Sequence, residues 1–414
     1  MSNAPHTDAT GRLPLNIPRG TSTFGISVVG FMGANLAPLM ILALVTETGM
    51  PEAAAGLVVT LGLLSTALVA LATTKLTEGS QRRLVARIGL LFVVLGFGTT
   101  ALTASAPLAV AGIVLGGVGA GGAVSAGGAA LAALSNPNRV AALSGLVNRA
   151  IVTVVLAVAP LVATLMLGAF GLLAGLGLAA LFTSSWLPNA PQPDPEKLAA
   201  AGAVPVRPLV DRKFTVVGWM LLVCFALWAV GEDSLWAVAA TMGAAQAQLG
   251  DGGMSLVLSA SSAGGLVVAI VMAALGDRLG RTLPLAILLI LGAVLKVLSA
   301  QVHTESSYLV VVIAWNTIYA AAFMYIVAIA AALDVTGRWS GPLLGVYLVG
   351  SSFAPVVGTG IASTLGYTAL GWILAGITMA LFIPLLYAAR LSAQAESIQR
   401  QHYAAEQADL HPSK

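Results

Sequence analysis

The chain has 414 residues, of which 58% are hydrophobic and only 8% charged, with a formal net charge of +3. That composition excludes a water-soluble globule with an ordinary polar surface, so a lipid bilayer is the solvent for most of this chain. The small positive excess sits in short polar connections, and no basic patch is interleaved with aromatics in a polar segment, which excludes a nucleic-acid partner.

The first 20 residues, with Pro5, Pro14 and Pro18, lack the short apolar core and cleavage site of a secretory signal and predict a mobile polar tail. A helix needs roughly 20 apolar residues to cross a hydrocarbon core of about 30 Å. Twelve such runs follow, at 22–45, 53–73, 84–104, 107–133, 140–167, 169–187, 214–240, 255–275, 282–301, 307–333, 341–365 and 368–390. Between the sixth and seventh lies the longest polar interruption, 188–213, which opens with Pro188, Pro191, Pro193 and Pro195 and reads as a linker. After 390 comes a Gln-, Ala- and Glu-rich tail that predicts a surface helix. The expected organisation is a tail (1–20), a six-helix half (21–187), the linker (188–213), a second six-helix half (214–390) and a second tail (391–414).

Orientation follows from the basic residues. Of the 19 Lys and Arg, all but Arg149 and Lys296 fall in tails or in alternate connections, those after runs two, four, six, eight and ten. By the positive-inside rule both termini and those connections are cytoplasmic, in the cytoplasmic (inner) membrane. The halves also repeat each other. Ala132-Ala133-Leu134-Ser135-Asn136-Pro137-Asn138-Arg139 matches Ala331-Ala332-Leu333-Asp334-Val335-Thr336-Gly337-Arg338, and Ala159-Pro160-Leu161-Val162-Ala163-Thr164 matches Ala354-Pro355-Val356-Val357-Gly358-Thr359. A six-helix unit repeated in parallel, 6 + 6, gives an all-α membrane protein of twelve transmembrane helices in two pseudo-symmetric halves.

The connection Gly276-Asp277-Arg278-Leu279-Gly280-Arg281 resembles the G-x-x-x-D-R-x-G-R signature of the major facilitator superfamily. The resemblance covers about 22–390 and implies that family's fold, alternating access between two halves, and a cytoplasmic latch formed by Gly276, Asp277, Arg278, Gly280 and Arg281. The chain departs from the pattern in three places. The first-half loop has Thr74 where the acid would fall, helix four (Gly116-Gly117-Val118-Gly119-Ala120-Gly121-Gly122) carries no arginine, and the exporter Gly-Pro signature survives only as Ala159-Pro160.

Four charges lie inside apolar runs: Arg149, Glu232, Asp233 and Lys296. Each costs at least about 2.5–3.5 kcal/mol at bilayer depth unless it finds a partner, a wet cavity or a way out. Lys296, close to the outer end of its run, is expected to snorkel to the interface. Glu232 and Asp233 are adjacent and cannot both ionise readily when desolvated, which marks them as proton-coupling residues. Successive helical residues point about 100° apart, so one faces a cavity while the other turns to a neighbouring helix. Trp228 and Trp236 flank Glu232 at i−4 and i+4, and Gly33-Ala34-Asn35 aligns with Gly231-Glu232-Asp233 across the repeat. Trp315, Tyr319 and Phe323 form an i, i+4, i+8 aromatic stripe with Asn316 beside it. Asn148-Arg149 lies too far in depth from Glu232 for a direct ion pair, which leaves the planar guanidinium for a carboxylate or for helix carbonyls. The expected substrate contacts are therefore Asn35, Asn148, Arg149, Trp228, Trp236, Trp315, Asn316 and Tyr319.

Enzyme chemistry is not expected. His6, His303, His402 and His411 all lie in tails or a loop, the one cysteine, Cys224, is a packing residue, and no G-x-x-x-x-G-K-[ST] run exists. No metal or cofactor is implied; a proton gradient would drive transport. The sequence predicts a monomeric, bilayer-embedded secondary transporter for a small aromatic or amphipathic organic molecule, an anion in the first reading. The alternatives are an amphipathic-cation:proton antiporter and a non-transporting receptor.

Overall fold

The computed structural model describes residues 12–189, 212–275, 280–333 and 338–410. The first six helices are α1 (Ile17–Thr48), α2 (Glu52–Glu78), α3 (Arg82–Ala101), α4 (Ala106–Ala132), α5 (Pro137–Val158) and α6 (Leu172–Thr183). After the linker follow α7 (Arg212–Gln246), α8 (Asp251–Leu275), α9 (Thr282–Ser299), α10 (Glu305–Leu333) and a last helical segment, Ser340–Leu410. That segment is broken at Gly366, whose φ of 83° and ψ of 166° only glycine adopts without strain, and it divides there into α11 (340–365) and α12 (367–410). Among the described residues eleven helical segments are long and apolar enough to cross a membrane, the broken one counting once, so this is an all-α, multi-pass membrane protein. Outward-facing side chains such as Leu71, Ile270 and Ile383 are apolar and exposed, as lipid contact requires.

Several boundaries differ from the hydropathy reading for local reasons. Run five does not continue to 167: α5 stops at Val158, and a 3₁₀ turn at Ala159–Leu161 follows because Pro160 supplies no amide hydrogen. A π turn at Leu167–Gly171 then leads into α6. Part of the predicted first tail is structured. Leu13 pairs with the end of α4, accepting from the Ser135 amide (2.9 Å) and donating to the Ala133 carbonyl (3.0 Å). Asn16 then caps α1 by accepting from the Arg19 amide at 3.0 Å, with Pro18 in the first turn.

Small residues set the spacing inside the first six helices. A Cβ on Gly117 would run into the Gly62 carbonyl oxygen, and one on Gly119 into the Gly89 carbonyl oxygen, so α4 lies backbone to backbone against α2 and α3. The basic connection after α2 fastens the end of α6: Arg82 donates to the Pro188 carbonyl (2.9 Å) and Arg83 to the Leu187 carbonyl (2.8 Å).

Side-chain hydrogen bonds between the first six helices and the later ones lie on one side of the molecule. Trp236 Nε1 donates to the Asn35 carbonyl (3.1 Å), Thr241 donates to Glu52 Oε1 (2.7 Å), and the Tyr367 hydroxyl reaches both Glu52 oxygens (3.2 and 3.3 Å). Ser255 donates to the Ala157 carbonyl (2.5 Å), and the Val356 amide donates to Thr60 Oγ1 (3.0 Å). All of these lie in the part of the bundle that holds Glu52 and Asp251, away from the basic connections. Gly56 completes this seam, because its Cβ would strike Thr359 Oγ1 and lie 2.8 Å from the Pro355 carbonyl.

The two kinds of glycine contact predict different phenotypes. Gly117→Val, within the first six helices, should lower the thermal midpoint in detergent by the equivalent of about 1–3 kcal/mol of overpacking. Gly56→Val should instead loosen the seam, read as faster maleimide labelling of a cysteine placed at Thr241 with little change in midpoint.

Candidate functional site

Glu232 and Asp233 on α7 face different surroundings, as adjacent helical residues must. Glu232 is buried, and both of its oxygens are occupied. Oε1 accepts from Lys296 Nζ of α9 at 2.7 Å, and Oε2 accepts from Trp315 Nε1 of α10 at 3.0 Å. Lys296 is 0% exposed and also donates to Thr378 Oγ1 of α12 at 2.5 Å. It therefore does not snorkel: an anionic partner at its own depth, with a hydroxyl beside it, is within reach, and the network ties α7, α9, α10 and α12 together. A buried lone lysine would be far costlier than a paired one.

Asp233, half-buried, has neutral hydroxyl partners. Tyr347 of α11 donates to Oδ2 at 2.9 Å and Tyr319 of α10 to Oδ1 at 3.4 Å, and the two tyrosine hydroxyls also bond each other. Ser351, one turn beyond Tyr347, stands on the same side of Asp233 and lines a small cavity with Gly30, Phe31, Leu63 and Thr66 of α1 and α2. Arg149 of α5 is the nearby cation. Its stem runs between α8 and α10, where a Cβ on Gly265 would sit 3.4 Å from Arg149 Nε and 3.5 Å from Ala320 Cβ. It makes no ion pair with Glu232, whose counterion is Lys296.

The aromatic stripe on α10 is present and extends across helices. Trp228 stacks on Tyr319 (centroids 5.3 Å apart, 22°) and on Phe225 (5.8 Å), Trp315 stacks on Tyr319 (6.3 Å), and Phe323 meets Tyr347 edge-on (5.2 Å). Trp228 and Trp315 are each 1% exposed, so they form the support behind Tyr319 and not an open ring face. The expected Trp-Glu-Trp face of α7 fans out towards separate neighbours: Trp228 to α10, Glu232 to α9 and α10, Trp236 to the Asn35 carbonyl of α1. Asn35 is thus engaged through its backbone at the seam, while its side chain donates to the Phe31 carbonyl at 2.9 Å. Asn148 and Asn316 each leave a buried Oδ1 without a partner.

Of the expected latch, Gly276, Asp277 and Arg278 lie outside the described residues. Gly280 has a φ of 64°, and Arg281 binds Glu396 at 2.7 Å, joining the start of α9 to the far end of α12. Among the described residues no group of three or more His, Cys, Asp or Glu could hold a metal ion.

Sequence reasoning missed Lys296, Thr378, Tyr347 and Ser351 as site residues. A signal for Lys296 existed: it is a cation in an apolar run, and a buried acid in another run is the partner that removes the cost of burying it. Tyr347 and Ser351 are an i, i+4 polar pair in an apolar run.

Residues 23–341 match the model of the Major Facilitator Superfamily, which is more than half of the chain. The chain belongs to that family and is a secondary transporter of a small molecule, not an enzyme. Similar solved structures include the human organic anion transporter MFSD10 (TETRAN), at 15% identity and a TM-score of 0.63, covering 89% of this chain and 99% of that one. A peptide transporter POT in complex with sulfate is 13% identical with a TM-score of 0.70, covering 94% and 98%. The xylose transporter XylE from E. coli, in a partially occluded inward open conformation, is 13% identical with a TM-score of 0.66, covering 88% and 96%. At such identities these likenesses establish the fold alone. Among curated proteins none matches the chain.

Removing one partner from the buried pair should expose its cost. Lys296→Met leaves Glu232 uncompensated and should destabilise the protein by about 3–5 kcal/mol, whereas Lys296→Met combined with Glu232→Gln should recover most of the loss. Thermal unfolding in detergent measures both.

Proposed function

We propose that this chain is a proton-coupled transporter of aromatic or amphipathic organic anions in the cytoplasmic membrane. In this reading α11 and α12 are separate spans, giving twelve in two six-helix halves with both chain ends cytoplasmic. The observation that carries it is the contrast between the two acids: Asp233 has only hydroxyl partners while Glu232 is committed to Lys296, and Arg149, packed against Gly265 between α8 and α10, is the other cation of the interior.

The coupling logic follows from charge. Ionised Asp233 balances Arg149 and leaves it little attraction for another anion. When Asp233 takes a proton, Arg149 becomes the uncompensated charge and attracts a substrate carboxylate; release of the anion and loss of the proton restore the original balance. Glu232, held by a lysine and an indole, fixes the depth and rotation of α7. Of the two acids, Asp233 is the proton carrier. Access alternates because the seam through Glu52, Thr241, Tyr367 and Trp236 closes the side away from the basic connections, which supports a form open to the cytoplasm. The human organic anion transporter that the fold resembles is consistent with the substrate charge. The aromatic wall of Tyr319, Phe323 and Tyr347 beside Asp233 would equally suit an amphipathic cation exchanged for protons.

Internal pH in proteoliposomes separates these. Aromatic acids should evoke proton flux in the wild type and in the double variant Glu232→Gln with Lys296→Met, which removes the buried pair as a unit, but not in Asp233→Asn. Flux evoked only by lipophilic cations would select the antiport reading, and labelled acid crossing without proton movement would overturn coupling.

A further inference from the structure

The junction of α5, α8 and α10 around Arg149 holds buried polar atoms that nothing among the described residues satisfies. Ser261 and Ser262 of α8 are 0% and 1% exposed, and neither hydroxyl has a hydrogen-bond partner. Asn316 of α10, 4% exposed, and Asn148 of α5 leave their amide oxygens unpaired. A buried polar group without a partner costs about 1–3 kcal/mol, and native interiors hold few of them, so several at one junction call for a group that completes them.

Helical register places these atoms beside the guanidinium. Gly265 touches Arg149 and Ala320, and Ser261 and Ser262 precede Gly265 by four and three residues, on the faces that α8 turns to its neighbours. Ser262 falls between two fixed contacts of α8 with α5, the Ser255 hydroxyl on the Ala157 carbonyl and Gly265 on Arg149. Asn316 precedes Ala320 by one turn. α8 and α10 run in the same direction, Gly253 meeting Glu305 and Gly264 meeting Thr317, so Ser261 and Asn316 stand at one level. Hydroxyl donors from α8 and an amide from α10 thus gather one turn beyond a guanidinium that has no hydrogen-bonded side-chain partner among the described residues.

We propose that this junction is the seat for the substrate's carboxylate, with Ser261 and Ser262 as specificity residues that nothing in the apolar sequence of α8 advertises. Arg149 supplies the charge, the two hydroxyls donate to the carboxylate oxygens, and Asn316, with its amide turned over, donates from its nitrogen. The hydroxyls have lost water on folding and regain a hydrogen bond when a ligand arrives; the bond to a carboxylate oxygen is stronger than the bond to a neutral amide oxygen, so an anion is favoured over a neutral molecule of the same shape. The inference rests on the reading of Arg149 as the anion-holding residue.

The test is equilibrium binding of benzoate and of the similarly shaped neutral benzamide to the purified full chain in detergent. Wild type should prefer benzoate. Ser261→Ala with Ser262→Ala should raise the Kd for benzoate about tenfold or more and that for benzamide by clearly less, since hydrogen bonds to a charged group are the stronger kind. Gel filtration and thermal unfolding check the fold, and the single Ser→Ala variants serve if the double variant does not fold. Equal affinity of the wild type for the two probes, no benzoate binding, an unchanged benzoate Kd in the alanine variants, or an equal shift for both probes would each overturn the seat. Benzoate binding that depends on the serines, without any acid-driven proton flux, would instead overturn proton coupling and leave the seat standing.

Discussion

A charge in a low-dielectric interior must be balanced where it stands, and the placement of four ionisable side chains follows from that constraint. Glu232 and Lys296 meet at 2.7 Å, with Trp315 and Thr378 filling the remaining positions, and form a closed pair. Asp233 and Arg149 are near each other without a bonded contact, and their nearest partners are hydroxyls and small residues. One pair is a fixed part of the architecture. The other leaves each charge without an ion-paired side chain among the described residues, and on the proposed reading it is the balance that a proton or a ligand tips.

The packing around these pairs is divided in the same way. Inside the first six helices, glycines bring α4 into backbone contact with α2 and α3, which yields a dense unit. Between those helices and the later ones, a shared apolar core is joined by a handful of polar contacts: an indole on a carbonyl, two hydroxyls on Glu52, an amide on Thr60. Individual hydrogen bonds of this kind contribute about 0.5–1.5 kcal/mol net, so no single one of them locks the seam. Pro355 contributes directly, because the helix bond it deletes lies one turn from Asp233's neighbour Ser351 and next to the amide that reaches Thr60.

Much of this was legible in the sequence because bilayer physics leaves few options. A stretch of apolar residues of the right length is a helix, and the helices α1 to α10 lie within a few residues of the runs read from hydropathy, apart from the break that Pro160 imposes on run five. The buried acids were also legible, since a charge in an apolar run announces itself. Partners were harder to read. Whether Lys296 turns outward to water or inward to Glu232 depends on which helices are neighbours, and hydropathy does not contain that information. For Trp228 and Trp236, sequence spacing put both on one face, but α7 meets different helices along its length and the two rings serve different contacts. Ser261 and Ser262 gave no signal, because serine is ordinary in a membrane helix and only the absence of a partner distinguishes them.

The turn at Gly366 has a mechanical meaning. With a single residue between them, α11 and α12 have no slack and behave as two arms of one bracket. The first arm carries Tyr347 to Asp233 and Val356 to the seam; the second carries Thr378 to Lys296, and its far end holds Glu396 against Arg281. A tilt of the first arm must therefore be met directly by the second, which ends some 30 residues beyond Gly366 at the Glu396–Arg281 salt bridge, on the opposite face of the bundle.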